Sequence, residues 1–314
     1  MVGKLTRDDI ATSSIVCSLF DEGRFSTKQE ALDRCIKAKN GENTRFKQTN
    51  RQRTGDLLEP VLIQEAANRL GLINVDADII VPWVHPFLPL EASLDGLAEA
   101  DNLIVEANEE IGIYLPHGSK YKMHGKVVIE CKCSSDYPSP DEPPKYLGVL
   151  QLQSSMEILD AEYGVLIVLY QSTDLRIYVY KRNPEFAEQL KEVVVDFDER
   201  VRAENYYMPV ISADAYVAHQ KVDDDVNELI LDSDMVDIID QYKAFEKVGK
   251  LAYESMDILH AQIMSSMGNY SKARAKNYKL TWSMTNFKAK PEKVIPAREA
   301  YSLRRRKITI KDVG

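Results

Sequence analysis

The sequence predicts an α/β protein: a central mixed sheet flanked by helices, followed by a C-terminal helical and β-hairpin extension. Two observations carry this. Between residues 54 and 181 the apolar pattern reads helix, three strands, helix, two strands. After about residue 200 its character changes, and an acidic stretch leads into one long helical pattern. The expected division is a core over residues 1–200 and an extension over 201–314.

Taking the elements in order, Leu58, Leu62, Ala66 and Leu70 recur at helical spacing and Gly71 closes the run, which predicts a helix over Thr54–Leu70 with Glu59 in its first two turns. Strands follow at Ile79–Trp83 and Leu90–Leu94, the second running into an Asp95-Gly96 turn. Residues 99–125 are polar and punctuated by glycine, and read as an inserted hairpin or loop. The third strand is 126–133, and the Pro-rich stretch 138–144 is an irregular, stiff loop. A helix at Tyr146–Asp160 offers Met156, Ile158 and Leu159 to the core. Tyr163–Tyr170 and Leu175–Lys181 form a hairpin.

In the extension, Met235, Ile238, Tyr242, Phe245, Gly249, Ala252, Met256, Leu259 and Ile263 step by threes and fours. That is a heptad seam, open to its own domain or to another subunit. A strand at Tyr278–Met284 should pair with one at Lys307–Lys311.

The 314-residue chain is 44% hydrophobic, as a packed protein requires, and contains no apolar run of membrane-spanning length. Its first residues lack an apolar signal core, so a cytoplasmic location is expected. Cys17, Cys35, Cys131 and Cys133 match no metal-binding spacing and read as reduced structural thiols. Trp83 and Trp282 read as packing residues, and His117 and His124 as exposed loop histidines.

Net charge is −9, but residues 270–314 hold thirteen Lys or Arg against three acids, a local +10 that leaves −19 for the rest. A second basic segment carries Arg45, Lys47, Arg51 and Arg53 without an acid. Two basic surfaces on an acidic body suit phosphate contact, although solvated faces are the commoner meaning of charge runs.

The chemistry concentrates where the third strand ends. Strand alternation places Glu130 and Lys132 on one face and Ile129 and Cys131 on the other. Glu-x-Lys alone carries little; its place at the end of an apolar strand, after Asp95 and a helix bearing Glu59, gives it weight. Asp95, Glu130 and the Cys131 carbonyl make a plausible oxygen shell for Mg²⁺, with Mn²⁺ as a substitute, and Lys132 stands beside them for phosphodiester hydrolysis. The alternative is a surface Glu–Lys pair.

Thr54-Gly55-Asp56-Leu57-Leu58-Glu59-Pro60, Ser93-Leu94-Asp95-Gly96-Leu97, Val128-Ile129-Glu130-Cys131-Lys132 and Leu150-Gln151-Leu152-Gln153 together resemble, in order and spacing, the YqaJ-like viral recombinases. These are relatives of the phage lambda exonuclease within the PD-(D/E)xK nuclease superfamily. The resemblance covers about residues 5–185.

It implies a restriction-endonuclease-like core and catalytic roles for Glu59, Asp95, Glu130, Lys132 and Gln153, with Asp95 and Glu130 on the metal. It also implies a 5′-phosphate pocket of Arg7, Ser14 or Ser13, Ser93 and Gln153, although the Ser/Thr run at 12–14 reads equally well as a helix cap. The implied activity is 5′-to-3′ digestion of linear duplex DNA to leave 3′ overhangs for recombination. Its implied setting is the host cytoplasm, as a homo-oligomer serving a single-strand annealing protein. The chain departs from the lambda pattern in its long 95–130 insertion, its Pro-rich loop and its long C-terminal extension. An endonuclease on the same fold and a non-catalytic DNA-binding protein are the competing readings.

Overall fold

The computed structural model describes residues 6–45, 47–139, 142–219 and 228–284. Among these, residues 6–219 form one compact unit and 228–284 a second.

The first unit begins with a short strand β1 (Ala11–Thr12), a 3-10 turn at Ser13–Ile15 and helices α1 (Val16–Leu19) and α2 (Lys28–Lys39). Next come the long helix α3 (Asn50–Leu70) and strands β2 (Ile73–Asp76), β3 (Trp83–Val84), β4 (Leu90–Ala92), β5 (Gly96–Glu106), β6 (Ile113–Tyr114) and β7 (Lys120–Ser134). Helix α4 (Val149–Leu159), the hairpin of β8 (Tyr163–Tyr170) and β9 (Asp174–Lys181), and helices α5 (Pro184–Ala203) and α6 (Ser212–Ala218) complete it.

Six strands form the main sheet in the order β2-β5-β7-β8-β9-β6. β7 runs parallel to β8 and β6 to β9, while the other neighbours are antiparallel, so the sheet is mixed as expected. β8 is apolar almost throughout because it is buried on both faces. Ile63, Ala67, Ile129 and Val165 form the core on the α3 face, and Leu32, Leu152, Met156, Leu190 and Phe197 the core on the α4 face. Phe197 is completely buried, so Phe197→Ala should cost about 3–5 kcal/mol, read as a lower denaturant midpoint.

Several boundaries differ from the expectation, each for a local reason. α3 starts at Asn50 rather than Thr54, because the Thr49 hydroxyl accepts from the Gln52 N–H while Gln52 reaches back to Thr49. Glu59 therefore lies in the third turn, just before the helix-internal Pro60. Residues 79–82 form no strand; the strand begins at Trp83, and β4 stops at Ala92. The polar insertion is a hairpin, in which β5 and β7 pair to Glu106 and Lys120 through a shift near Asn102, a residue held at φ 50°. None of the four cysteines forms a disulfide, and three of them are buried.

Residues 204–214 tie back to α2. Tyr206 donates to Asp33 at 2.8 Å, the Gln29 amide and the Tyr207 backbone exchange two bonds, and Thr27 donates to Asp214 at 2.8 Å. These bonds hold residues beyond 200 on the first unit.

The second unit holds helix α7 (Asp234–Met267), which Gly268 ends, and a hairpin of β10 (Lys272–Ala275) and β11 (Tyr278–Thr281). β11 thus pairs with β10; the expected partner at 307–311 lies outside the described residues. Along α7, Ile238, Tyr242, Phe245, Leu259 and Ile263 of the seam are exposed. Among the described residues, no helix is long and apolar enough to cross a membrane.

Candidate active site

The site is built where three elements end together. α3 lies across one face of the sheet, with Ile63 against Ile129 beneath Gly96, and its amino-terminal turns carry Glu59 past that packed stripe. β5 starts at Gly96, paired with Ile129, which puts the preceding Asp95 beside Glu130 and Cys131. The Cys131 N–H donates to Asp95 Oδ2 at 2.8 Å, fixing the carboxylate against β7. Gly148, just before α4, lies so close that an added Cβ would stand 3.4 Å from Lys132 Cγ and 3.5 Å from Glu130 Cγ. The alternation expected for β7 is observed: Ile129 and Cys131 join the α3 face, and Glu130 and Lys132 emerge on the α4 face.

Glu130 is completely buried. One of its oxygens, Oε1, accepts from the Lys132 ammonium; the other, Oε2, is buried with no hydrogen-bond partner. Burial, reinforced by the Asp95 charge, pushes the Glu130 carboxyl well above its usual range despite the opposing Lys132. Glu59 is pushed up to about 8, first by burial and then by Asp95. For Lys132 burial acts the other way, but Glu130 and Asp95 outweigh it and hold the ammonium protonated.

An orphaned buried carboxylate oxygen costs free energy, and a cation is the partner that would satisfy it. Among the described residues, no three His, Cys, Asp or Glu side chains converge tightly enough to enclose a metal by themselves. A hard cation such as Mg²⁺ needs no such cage; one or two carboxylates serve, with waters and substrate oxygens filling the remaining positions. Asp95 and Glu130, with the Cys131 peptide between them, fit that donor set.

The amino-terminal segment reaches the same region. β1 pairs parallel with β4, setting Thr12 opposite Glu91, two residues before the half-buried Ser93. Arg7 donates to the buried Glu91 carboxylate through Nε at 2.8 Å and through its backbone N–H at 3.0 Å. Ser13 is buried, while Ser14 is exposed and shares a 3.0 Å bond with Thr12; the Thr12 hydroxyl caps nothing. Cys17, read from the sequence as a structural thiol, lies within the fields of Lys132 and Glu130, and burial raises its thiol to about 11.

Gln153 has a structural role. It is buried on α4, where its amide donates to the Lys181 carbonyl at 3.1 Å and accepts the Asn183 N–H at 2.9 Å. Both ends of the amide thus take part in joining β9 to α5. Residues two apart on a helix point roughly 200° away from each other, so the partner glutamine, Gln151, takes the opposite direction. Gln153→Ala should therefore lower stability by about 1–3 kcal/mol, because it removes both hydrogen bonds, read as a lower denaturant midpoint.

All four residues of the basic segment are exposed; Arg45 pairs with Asp8 at 3.2 Å and Arg51 donates to Ser135 at 3.2 Å. His117 and His124 are both exposed and lie near Glu142 and Asp101; His117 is in a loop as expected, whereas His124 lies within β7.

No protein-family model and no curated protein sequence matches the chain. In structure it is similar to an alkaline exonuclease, LHK-Exo from Laribacter hongkongensis, with a TM-score of 0.45 and 18% identity over 63% of this chain and 90% of that one. LHK-Exo in complex with dAMP gives the same score at 17% identity. A phage-related exonuclease from Haemophilus somnus gives 0.41 and 14%, over 62% of this chain and 96% of that one.

Proposed function

We propose that this protein is a divalent-metal-dependent exonuclease that digests linear duplex DNA from a 5′-phosphorylated end. The observation that carries the reading is the unpartnered, fully buried Glu130 Oε2, with Asp95 on one side and the Lys132 ammonium on the other carboxylate oxygen. Bound there, Mg²⁺ or Mn²⁺ would make water a nucleophile near neutral pH and neutralise charge on the scissile phosphate.

The chain's own groups do the rest. Lys132 holds a protonated ammonium at the reacting phosphate, where it stabilises the negative charge that develops. Asp95 is kept in place by the Cys131 N–H, and Glu59 adds a third carboxylate to the same field. Arg7, aimed by the buried Glu91, supplies a guanidinium for a terminal phosphate, with Ser14 and Ser93 as hydroxyl donors. If that pocket grips the 5′-phosphate, the next phosphodiester lies at the metal, and each cut recreates the same terminus.

The substrate would thus be a double-stranded DNA end, and the product a 3′ overhang for recombination in the host cytoplasm. A homo-oligomer and an annealing partner are further parts of this reading, drawn from the family resemblance alone.

Linear duplex with and without a 5′-phosphate, in Mg²⁺ or EDTA, tests the proposal. The phosphorylated end should be degraded at least tenfold faster, only with metal, and covalently closed plasmid should survive. Cutting of closed plasmid would instead select an endonuclease. Equal rates at both ends would sink the pocket, and no metal-dependent cleavage at all would leave a DNA-binding protein.

A further inference from the structure

We propose that a groove beside the acidic cluster takes the sugar–phosphate backbone of the DNA strand next to the bond being cut, and that Gly55 is what lets it approach. The inference rests on the nuclease reading above and assigns that site a strand-binding surface. The groove measures about 530 Å³ and opens between the first turns of α3 and the carboxyl ends of β7 and β8.

Its position follows from the helix. Leu62, Ile63 and Ala66 bury one stripe of α3 on the sheet, and the same stripe continues outward through Glu59 and Gly55 to Arg51, beyond the packed region. The opposite wall is Ser134 and Ser135, directly after the catalytic strand's Cys133, with Gln171 and Ser172 from the β8–β9 turn. Cys133 joins the two sites, since its thiol feels the charges of both Glu59 and Arg51.

The lining chemistry suits a phosphodiester chain. It offers the Arg51 guanidinium, hydroxyls and one carboxamide, and among the described residues that line it there is no carboxylate, on a protein of net charge −9. Such a surface binds a backbone without reading bases.

Gly55 supplies an independent observation. A glycine inside a helix destabilises it relative to alanine and needs a reason. Packing gives none, because an added Cβ would meet nothing within 4 Å, and Gly55 is not among the glycines with positive φ. The space it leaves open belongs to the groove, where a backbone could approach closely.

The test measures binding of an end-labelled duplex by fluorescence anisotropy in Mg²⁺, using full-length Lys132→Ala protein as the non-cleaving parent. Adding Gly55→Phe, which fills the groove, should raise Kd at least about tenfold. Adding Arg51→Ala should weaken binding and reduce the slope of log Kd on log salt by about one. Gly55→Ala should raise the melting temperature while leaving DNA bound less tightly, a combination that a merely structural glycine would not give. If the parent binds DNA and the folded Gly55→Phe and Arg51→Ala proteins bind equally well, the groove proposal is overturned and the nuclease reading stands. If the parent binds no DNA, the nuclease reading fails and takes the groove with it.

Discussion

Glu130→Gln and Lys132→Met should each abolish cleavage, by about 10³-fold or more, yet shift stability in opposite directions. Glu130 is completely buried with one oxygen unpartnered, so the neutral amide of a glutamine removes the cost of a desolvated charge. The ammonium it abandons can move outward, because the Lys132 side chain is 30% exposed. The melting temperature of Glu130→Gln should therefore hold or rise.

Lys132→Met leaves the carboxylate instead, in a place from which it cannot move. The Glu130 carboxyl, already pushed well above its usual range, then takes up a proton, which limits the loss to about 2–3 kcal/mol rather than that of a stranded buried charge. Thermal melts in EDTA read this difference, and cleavage of 5′-phosphorylated duplex in Mg²⁺ reads the common loss of activity. A Glu130→Gln protein that keeps more than a tenth of the activity would remove Glu130 from the chemistry. Matching stability losses in the two variants would contradict the burial argument.

The elements that place this cluster were legible in the sequence for reasons that differ between them. β8 and β9 were readable because apolar β-formers fill β8, Ile177 to Tyr180 form an apolar run in β9, and a polar turn divides them. The separation of Glu130 and Lys132 from Ile129 and Cys131 followed from strand alternation alone.

Less legible were features set by contacts remote in sequence. Ile79–Val81 read as strand-forming, yet Ile80 and Val81 are exposed and unpaired, since the sheet offers those residues no neighbour. Gln153 looked like a site residue because its motif lies on the helix next to Glu130. Only the approach of Lys181 and Asn183, thirty residues on, turns that side chain into a clamp. The groove beside Gly55 joins a helix to a turn more than a hundred residues away, and no pattern in the sequence announces it.

Removing the metal should matter most at alkaline pH. Glu59 and Glu130 both have folded-state pKa values above the usual 4.5, Glu59 at about 8. For Glu59 this means stability that is fully present below about pH 4.5 and is lost as pH rises to about 8. Between about pH 5 and 8 the metal-free protein should accordingly lose melting temperature, because folded Glu59 holds a proton that the unfolded chain has already released, and the loss should level off above about pH 8.

Mg²⁺ should reverse that loss, because it neutralises the carboxylates that repel one another. Binding must then displace the protons still held at lower pH. The apparent Kd for Mg²⁺ should thus tighten by about tenfold for each proton released per pH unit, reaching its limit above about pH 8. Calorimetric titration in two buffers of different ionisation enthalpy counts the protons directly, and about one, from Glu59, is expected. Alanine at Glu59 should lower the count and flatten the pH dependence while leaving Asp95 and Glu130 to bind the ion. A Kd independent of pH from 6 to 9 would mean that the ion, if it binds, is held by groups outside this cluster.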